Sequence, residues 1–278
     1  MKFGKFAKAF APVIAIAFAA GLSGCDGAKI KFNGEEGKKL ADLDLTGAAP
    51  TGVAMFGPDT VRITEGPKLT ISVEGDSEAA ENMRFSLKDG TLGVLRKDGS
   101  WRNDKTVTVN VTLPALHEVS ALGSGSIHAA KLTGDAKINV AGSGSAETPD
   151  VSADTLEVSI AGSGNYRGAG QAKSLELNIA GSGSAEMDAL KVDKAEINIA
   201  GSGDARFASD GTVNASMLGS GEVKVRGRAT CQVSAVGSGR LICETAARST
   251  GGPETPDTPR TPDTPKTPET PETPEAPE

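Results

Sequence analysis

The chain has 278 residues, a formal net charge of −7, a hydrophobic fraction of 37% and an aromatic fraction of only 4%. An acidic chain without a basic stripe excludes the usual classes of nucleic-acid-binding protein. The length fits one domain with a tail.

The N-terminus carries the features of a secretory signal peptide over residues 1–24. Three lysines precede the apolar run Ala11–Ala20, which is too short for a membrane-spanning helix. Leu22–Cys25 reads Leu-Ser-Gly-Cys and resembles the lipobox of bacterial lipoproteins. The resemblance implies cleavage before Cys25 and acylation of that cysteine, with palmitate among the chains, which would anchor the protein stably. The alternative is an ordinary signal peptide with a chance cysteine. Whether the anchor sits in the inner or the outer membrane stays open.

Residues 25–51 are predicted to be the lipidated N-terminus and a tether. Strand-like alternation then begins, and Lys88-Asp89-Gly90 between two apolar runs is a hairpin signal. Thr106–Leu113 alternates apolar and polar residues until Pro114 ends it. This region is predicted to form the first coils of a stack and to cap its end.

A repeat dominates the rest of the chain, because the tripeptide Gly-Ser-Gly occurs seven times at intervals of 18 to 20 residues. A near-constant period of this size indicates a solenoid. The first glycines are Gly123, Gly142, Gly162, Gly181, Gly201, Gly219 and Gly237.

Aligned on these glycines, the positions four and two residues before are apolar in every unit, and the position between them is always Ser or Asn. Alternation of this kind indicates half-buried strands, with the apolar columns inward. The glycines permit a backbone turn without a Cβ clash. The sequence therefore predicts an all-β fold, a single-stranded parallel β-helix over residues 52–245. A right-handed coil is the expected hand, and a long antiparallel array is the competing layout. Ile160, Ile179 and Ile199 are predicted to be buried neighbours in one column.

The motifs also carry a family resemblance. Gly57–Ile63, Leu69–Gly75 and Phe85–Leu95, followed by the Gly-Ser-Gly units, resemble the bacterial domain of unknown function called the auto-transporter adhesin head GIN domain. The resemblance covers residues 52–243. It implies an envelope-exposed β-helical domain, often on lipoproteins, and it supplies no catalytic residues.

Two surface columns bear on function. Stacked Ser and Asn side chains are expected to form a hydrogen-bonded ladder, although they could instead face a polysaccharide or a protein strand. Five residues before the glycine, Glu157, Glu176 and Glu196 form an acidic stripe, but Lys137 and Gln232 share the column. A carbohydrate-cleaving site needs a pair of carboxylates, and no second acidic column accompanies this one.

No motif for catalysis, a metal or a cofactor appears. His117 is expected to cap the first unit, and His128 to point outward. Cys231 and Cys243 both fall at inward positions of the last coil and are predicted to form a disulfide, with two buried thiols as the alternative.

Residues 246–278 are predicted to be a disordered tail, and within them Gly251–Glu278 repeats Thr-Pro every three residues, which favours extended polyproline II. Taken together, the sequence predicts a non-catalytic cell-envelope lipoprotein that acts as a structural or adhesive binding module. Its expected partners are the membrane, through Cys25, and envelope polysaccharide or protein. The alternative function is a polysaccharide-binding or polysaccharide-cleaving β-helix protein.

Overall fold

The computed structural model describes residues 37–97 and 105–244, and most of these residues lie in β-strands. The predicted signal peptide, Cys25 and the Thr-Pro tail lie outside the described residues.

The first half of the fold begins with a 3₁₀ turn (Leu40–Asp42), which is followed by six short strands and one α-helical turn. In chain order they are β1 (Gly52–Phe56), β2 (Thr60–Glu65), β3 (Thr70–Gly75), α1 (Ser77–Glu81), β4 (Met83–Lys88), β5 (Thr91–Arg96) and β6 (Val107–Leu113).

The second half contains the Gly-Ser-Gly repeat, and its strands run almost from one tripeptide to the next. They are β7 (Glu118–Gly123), β8 (Ser126–Ala129), β9 (Leu132–Gly142), β10 (Ser145–Gly162), β11 (Asn165–Gly181), β12 (Ser184–Gly201), β13 (Asp204–Gly219), β14 (Glu222–Arg226), β15 (Thr230–Gly237) and β16 (Arg240–Glu244). From β7 onward every pairing is parallel. The parallel β-helix is thereby confirmed over the antiparallel layout, while the hand of the coil stays a prediction.

In the long strands strict alternation is interrupted at two further places, most clearly in β10 and β12, where two consecutive residues are exposed at each. In β10 these are Pro149-Asp150 and Asp154-Thr155. Together with Gly-Ser-Gly they divide one coil into three sides. We call their outer surfaces the post-glycine face (Ser145–Thr148 in β10), the middle face (Val151–Ala153) and the pre-glycine face (Leu156–Gly162).

The core is built from side chains stacked in register between coils. Ile160 pairs with Ile179, and Ile179 pairs with Ile199, and all three are fully buried. The predicted column is confirmed. Since neighbouring parallel strands lie about 4.8 Å apart, each side chain is packed between copies of itself.

The Gly-Ser-Gly corners need glycine for a reason beyond local backbone freedom. The first glycine of every tripeptide has a positive φ, for example +121° at Gly181. A Cβ added there would also collide with the carbonyl oxygen of Gly162 in the preceding coil. The coils approach too closely at this corner for any side chain. Glycine is therefore required both for the turn and for the stacking of successive coils.

The N-terminal end of the stack is closed by antiparallel strands. Strands β5 and β6 lie beneath β1 and β2, although they follow them in the chain. Strand β4 pairs antiparallel with β5, and β3 pairs antiparallel with β6. The predicted hairpin is present, with positive φ at Asp89 and Gly90. The helical turn α1 was not predicted; Asp76 caps it by accepting a hydrogen bond from the Ala79 N–H at 3.0 Å.

Gly57–Asp59 forms the first corner, in the place that Gly-Ser-Gly takes later. The Gly125 N–H donates to the Gly57 carbonyl at 2.8 Å. Buried Asp59 accepts from Arg96 at 2.6 and 2.7 Å and from the Val107 N–H at 3.0 Å. This ion pair raises the pKa of Arg96, and Asp59 ties the first corner to the end of β5 and the start of β6.

Part of the predicted tether is attached to this closed end. Lys38 forms an antiparallel bridge with Phe85, on the outer edge of β4. Leu40 and Leu43 pack against the core.

Candidate binding face

Two of the three outer faces carry charged side chains that are paired between successive coils, among uncharged polar residues. On the post-glycine face, Glu147 lies 3.0 Å from His128, and Glu186 lies 2.8 Å from Arg167. On the middle face and at the bend that follows it, Lys173 pairs with Asp154 and Lys191 with Asp210, at 2.5 and 2.8 Å. Asp154 raises the pKa of Lys173, and Lys191 lowers that of Asp210.

The pre-glycine face is built differently, from three outer columns that run along the stack. The acidic column, five residues before each glycine, is Glu118, Lys137, Glu157, Glu176, Glu196, Asn214 and Gln232. The Ser/Asn column, three before, is Ser120, Asn139, Ser159, Asn178, Asn198, Ser216 and Ser234. The outer apolar column, one before, is Leu122, Ala141, Ala161, Ala180, Ala200, Leu218 and Val236.

The Ser/Asn column forms part of the expected ladder. Asn198 donates to Asn178 at 3.1 Å, and Asn139 donates to Ser120 at 3.1 Å. The column is buried from Ser120 to Asn198 and exposed at Ser234. The alternative, an exposed row of hydroxyls and amides that faces a partner, therefore does not hold over most of the column. Strand alternation turns these side chains away from the core, so their burial occurs on the outer side of the sheet.

The last coils leave this face open. Here a shallow groove of about 390 Å³ is lined by Glu196, Asn214, Ala215, Ser216, Gln232, Val233 and Ser234. Polar groups of the acidic and Ser/Asn columns thus become accessible together at one end of the face.

The acidic column does not assemble a pair of facing carboxylates. Glu157 lies 3.4 Å from Lys137, and Glu176 accepts a hydrogen bond from Asn178 at 3.4 Å. A stripe compensated by lysine and amide groups can orient a polar partner. It lacks the opposed acid that glycoside hydrolysis requires.

The outer apolar column was missed by the sequence reasoning, although the same alignment contains it. Ala141, Ala161, Ala180 and Ala200 are half-buried, and Leu218 and Val236 are exposed. A continuous apolar stripe on an outer sheet surface is typical of a contact surface.

The structure places three of the residues that the sequence singled out. Cys231 and Cys243 are bonded to each other in the last coil, with Cα atoms 6.7 Å apart. His117 is half-buried, and its Nδ1 lies 2.7 Å from the Thr133 carbonyl, which fits a capping role. Cys25 lies outside the described residues, so lipid attachment stays a prediction.

Within residues 37–97 and 105–244, no cluster of three or more His, Cys, Asp or Glu side chains could hold a metal ion. Over the same ranges, no helix has the length and apolar character needed to cross a membrane.

The model of the family described as "Putative auto-transporter adhesin, head GIN domain" matches residues 49–229. The chain belongs to this family. The match begins just before β1 and ends just before β15, so the GIN domain includes the closed end and most of the stack.

Solved structures share the fold of this GIN domain. An adhesin described as putative from Bacteroides fragilis NCTC 9343 has 22% identity and a TM-score of 0.64, and the alignment covers 70% of this chain and 93% of that one. A protein of Parabacteroides distasonis ATCC 8503 described as a putative lipid binding protein has 21% identity, a TM-score of 0.55 and coverages of 71% and 94%. A putative adhesin of Parabacteroides merdae ATCC 43184 has 18% identity, a TM-score of 0.53 and coverages of 71% and 92%. Among curated proteins, none matches the chain.

Proposed function

We propose that this GIN domain is a non-catalytic binding module of the bacterial cell envelope and that its pre-glycine face makes the contacts. One observation carries the proposal. The post-glycine and middle faces carry many charged side chains paired between coils, whereas the pre-glycine face carries an accessible column of small and apolar side chains that runs parallel to the acidic column.

Such a face suits an extended partner. Short side chains give a flat surface, the apolar column supplies area that is removed from water on contact, and the acidic column supplies polar orientation. The family description and the two neighbours described as adhesins support adhesion as the role. The neighbour described as lipid-binding supports a binding role without deciding the ligand.

Anchoring to a membrane through acylated Cys25 is part of the proposal, and it rests on the sequence Leu22–Cys25. The chain expressed in a bacterial host should partition into the detergent phase, and Cys25→Ser should move it to the aqueous phase. Wild-type protein that stays in the aqueous phase would refute the anchor and leave the binding proposal untouched.

Two variants of one strand test the binding face. Ala180→Arg puts a long cation on the pre-glycine face of β11, and Gln171→Arg puts the same side chain on its middle face. The probes are polysaccharide and protein fractions of a bacterial envelope, immobilised separately. Binding of the Ala180 variant should fall about tenfold or more, while the Gln171 variant should bind like wild type. Equal binding by all three proteins would count against this face.

The same incubation tests the enzymatic alternative. The acidic column favours polysaccharide as a candidate ligand, but a cleaving enzyme would also generate new reducing ends. We expect retention on a fraction with no increase in reducing sugar over time. An increase that depends on Glu157, Glu176 or Glu196 would replace the module with a hydrolase.

A further inference from the structure

The two ends of the stack differ, because antiparallel strands cover the N-terminal end whereas the C-terminal end has an uncovered strand edge. At the C-terminal end, β15 pairs with β13 on one side only, and β16 pairs only with β14. Seven of the eight residues of β15 are exposed. Val233 occupies an inward core column, yet 53% of its surface is accessible, because no coil among the described residues follows.

An exposed strand edge normally carries features that prevent pairing with another strand, such as charged side chains, prolines or a covering segment. The N-terminal end has them: Arg84 and Lys88 lie on the edge strand β4, and Lys38 pairs with its centre. Strand β15 reads Thr-Cys-Gln-Val-Ser-Ala-Val-Gly and has neither a charge nor a proline.

The sequence that follows β16 does not continue the repeat. A proline stands at every third position from Pro253 to Pro277. Proline has no N–H to donate to a strand ladder. The eight residues 245–252 that come before them contain no Gly-Ser-Gly and no alternation of apolar residues.

We propose that the edge of β15 is a dimer interface, on which a second copy of this chain adds its own β15 in antiparallel orientation. A twofold axis perpendicular to the pre-glycine sheet produces this pairing. It keeps the core-facing sides of both strands on one side, so the open core of one copy meets the open core of the other. Val233 of each copy is then covered by apolar side chains.

Two observations favour a second copy over a strand from another protein. First, the same axis brings together the corners where β14 and β16 end. Each corner carries charges of both signs: Arg226 ends β14, Glu244 ends β16, and the exposed Arg228 lies 3.8 Å from Asp210 of the preceding coil. The Gly227 N–H donates to the Glu244 carbonyl at 3.1 Å. Opposite charges can therefore meet across the axis. Second, the N-terminal end is closed, so head-to-tail fibres cannot form and the contact stops at two copies.

The bond between Cys231 and Cys243 makes this edge suitable for docking. Cys231 lies in β15 and Cys243 in β16, so the bond ties both strands of the last coil together. A strand that is already ordered loses less conformational entropy on pairing.

Sedimentation equilibrium of the full chain in detergent, over a range of protein concentrations, tests the proposal. Wild type should follow a monomer–dimer equilibrium. Val233→Asp places a carboxylate at the centre of the interface and should weaken dimerisation about tenfold or more. The matched control is Leu218→Asp, because Leu218 is similarly exposed (47%) but lies on the outer side of β13, whose neighbours β12 and β15 are both present. That variant should dimerise like wild type.

Circular dichroism and the mass of the non-reduced protein show whether each variant folds with its disulfide. Hydrogen exchange supplies an independent measurement: amides of β15 should exchange more slowly in concentrated than in dilute wild-type protein. Wild type that is monomeric at every concentration would overturn the proposal, as would a dimer broken by Leu218→Asp but not by Val233→Asp. Exchange in β15 that does not depend on concentration would overturn it as well.

Discussion

The middle coils and the last coil have nearly the same repeat sequence, but equivalent side chains are buried in the middle coils and exposed in the last one. Val158 and Val233 occupy the same column, four residues before a Gly-Ser-Gly. Val158 is completely buried, whereas half of Val233 is accessible. The repeat determines which way a side chain points, and the presence of a coil on each side determines whether it is buried. In a solenoid, stability therefore belongs to interfaces between repeats more than to the repeats themselves.

The largest expected effect comes from the same substitution in both coils. Val158→Asp buries a carboxylate with coils on both sides and should lower the free energy of unfolding by more than about 4 kcal/mol. Val233→Asp leaves its carboxylate in contact with water and should cost about 1 kcal/mol or less. Denaturant unfolding of dilute protein measures both. Similar losses would mean that the last coil is as enclosed as the middle.

A second comparison uses the first glycines of two Gly-Ser-Gly corners, one in the middle of the stack and one in the last coil. Gly181 and Gly237 have similar φ values, +121° and +114°, and a Cβ at either would meet the carbonyl oxygen of the preceding coil. Gly181→Ala should cost about 3–4 kcal/mol, because coils on both sides hold the corner in place. Gly237→Ala should cost about half as much, since the last coil can move away. Thermal unfolding of the two variants makes the comparison, and a larger loss at Gly237 would contradict it.

The middle of the stack also excludes water from the only tyrosine of the chain. Burial raises the pKa of Tyr166 to about 12, against a hydrogen bond with Thr148 that acts in the other direction. Because the unfolded chain loses this proton near pH 10, the stabilisation is complete below pH 10. It is lost as the pH rises to about 12, and it amounts to about 3 kcal/mol.

Phenolate absorbance follows this single group directly, and Tyr166→Phe removes its contribution to the pH dependence of stability. A titration midpoint near pH 10 in the folded protein would show that water reaches the middle coils.

The disulfide at the open end is expected to contribute less than the buried groups of the middle coils. Loss of the bond between Cys231 and Cys243 should cost about 2–3 kcal/mol, because the loop that it closes is short. The loss should be confined to β15 and β16. Mass spectrometry after alkylation without reductant tests the bond itself, since two alkylated cysteines would show free thiols in its place.

Much of the stack could be predicted from sequence, because residues that contact each other in neighbouring coils recur at a fixed spacing along the chain. Every inward column, from Val119 to Val225, follows from aligning the glycines. The seven corners follow in the same way. The close approach of successive corners, as between Gly162 and Gly181, could not be read from one unit.

The ends could not be predicted in detail, because they do not repeat. No local sequence pattern indicates that β5 and β6 pass beneath β1 and β2, or that Asp59 forms an ion pair with Arg96. Burial of the Ser/Asn column was missed for a related reason. Alternation reports the side of the sheet on which Asn178 lies, but it does not report what lies over that side.

Hydrogen–deuterium exchange of the dilute full chain, resolved strand by strand, tests most directly the claim that burial depends on position in the stack. Opening free energies should be highest in β10, β11 and β12, lower in β13 and lowest in β15 and β16. Protection of β15 equal to that of β11, in protein too dilute to associate, would contradict the account and would show that the last coil is covered within one chain.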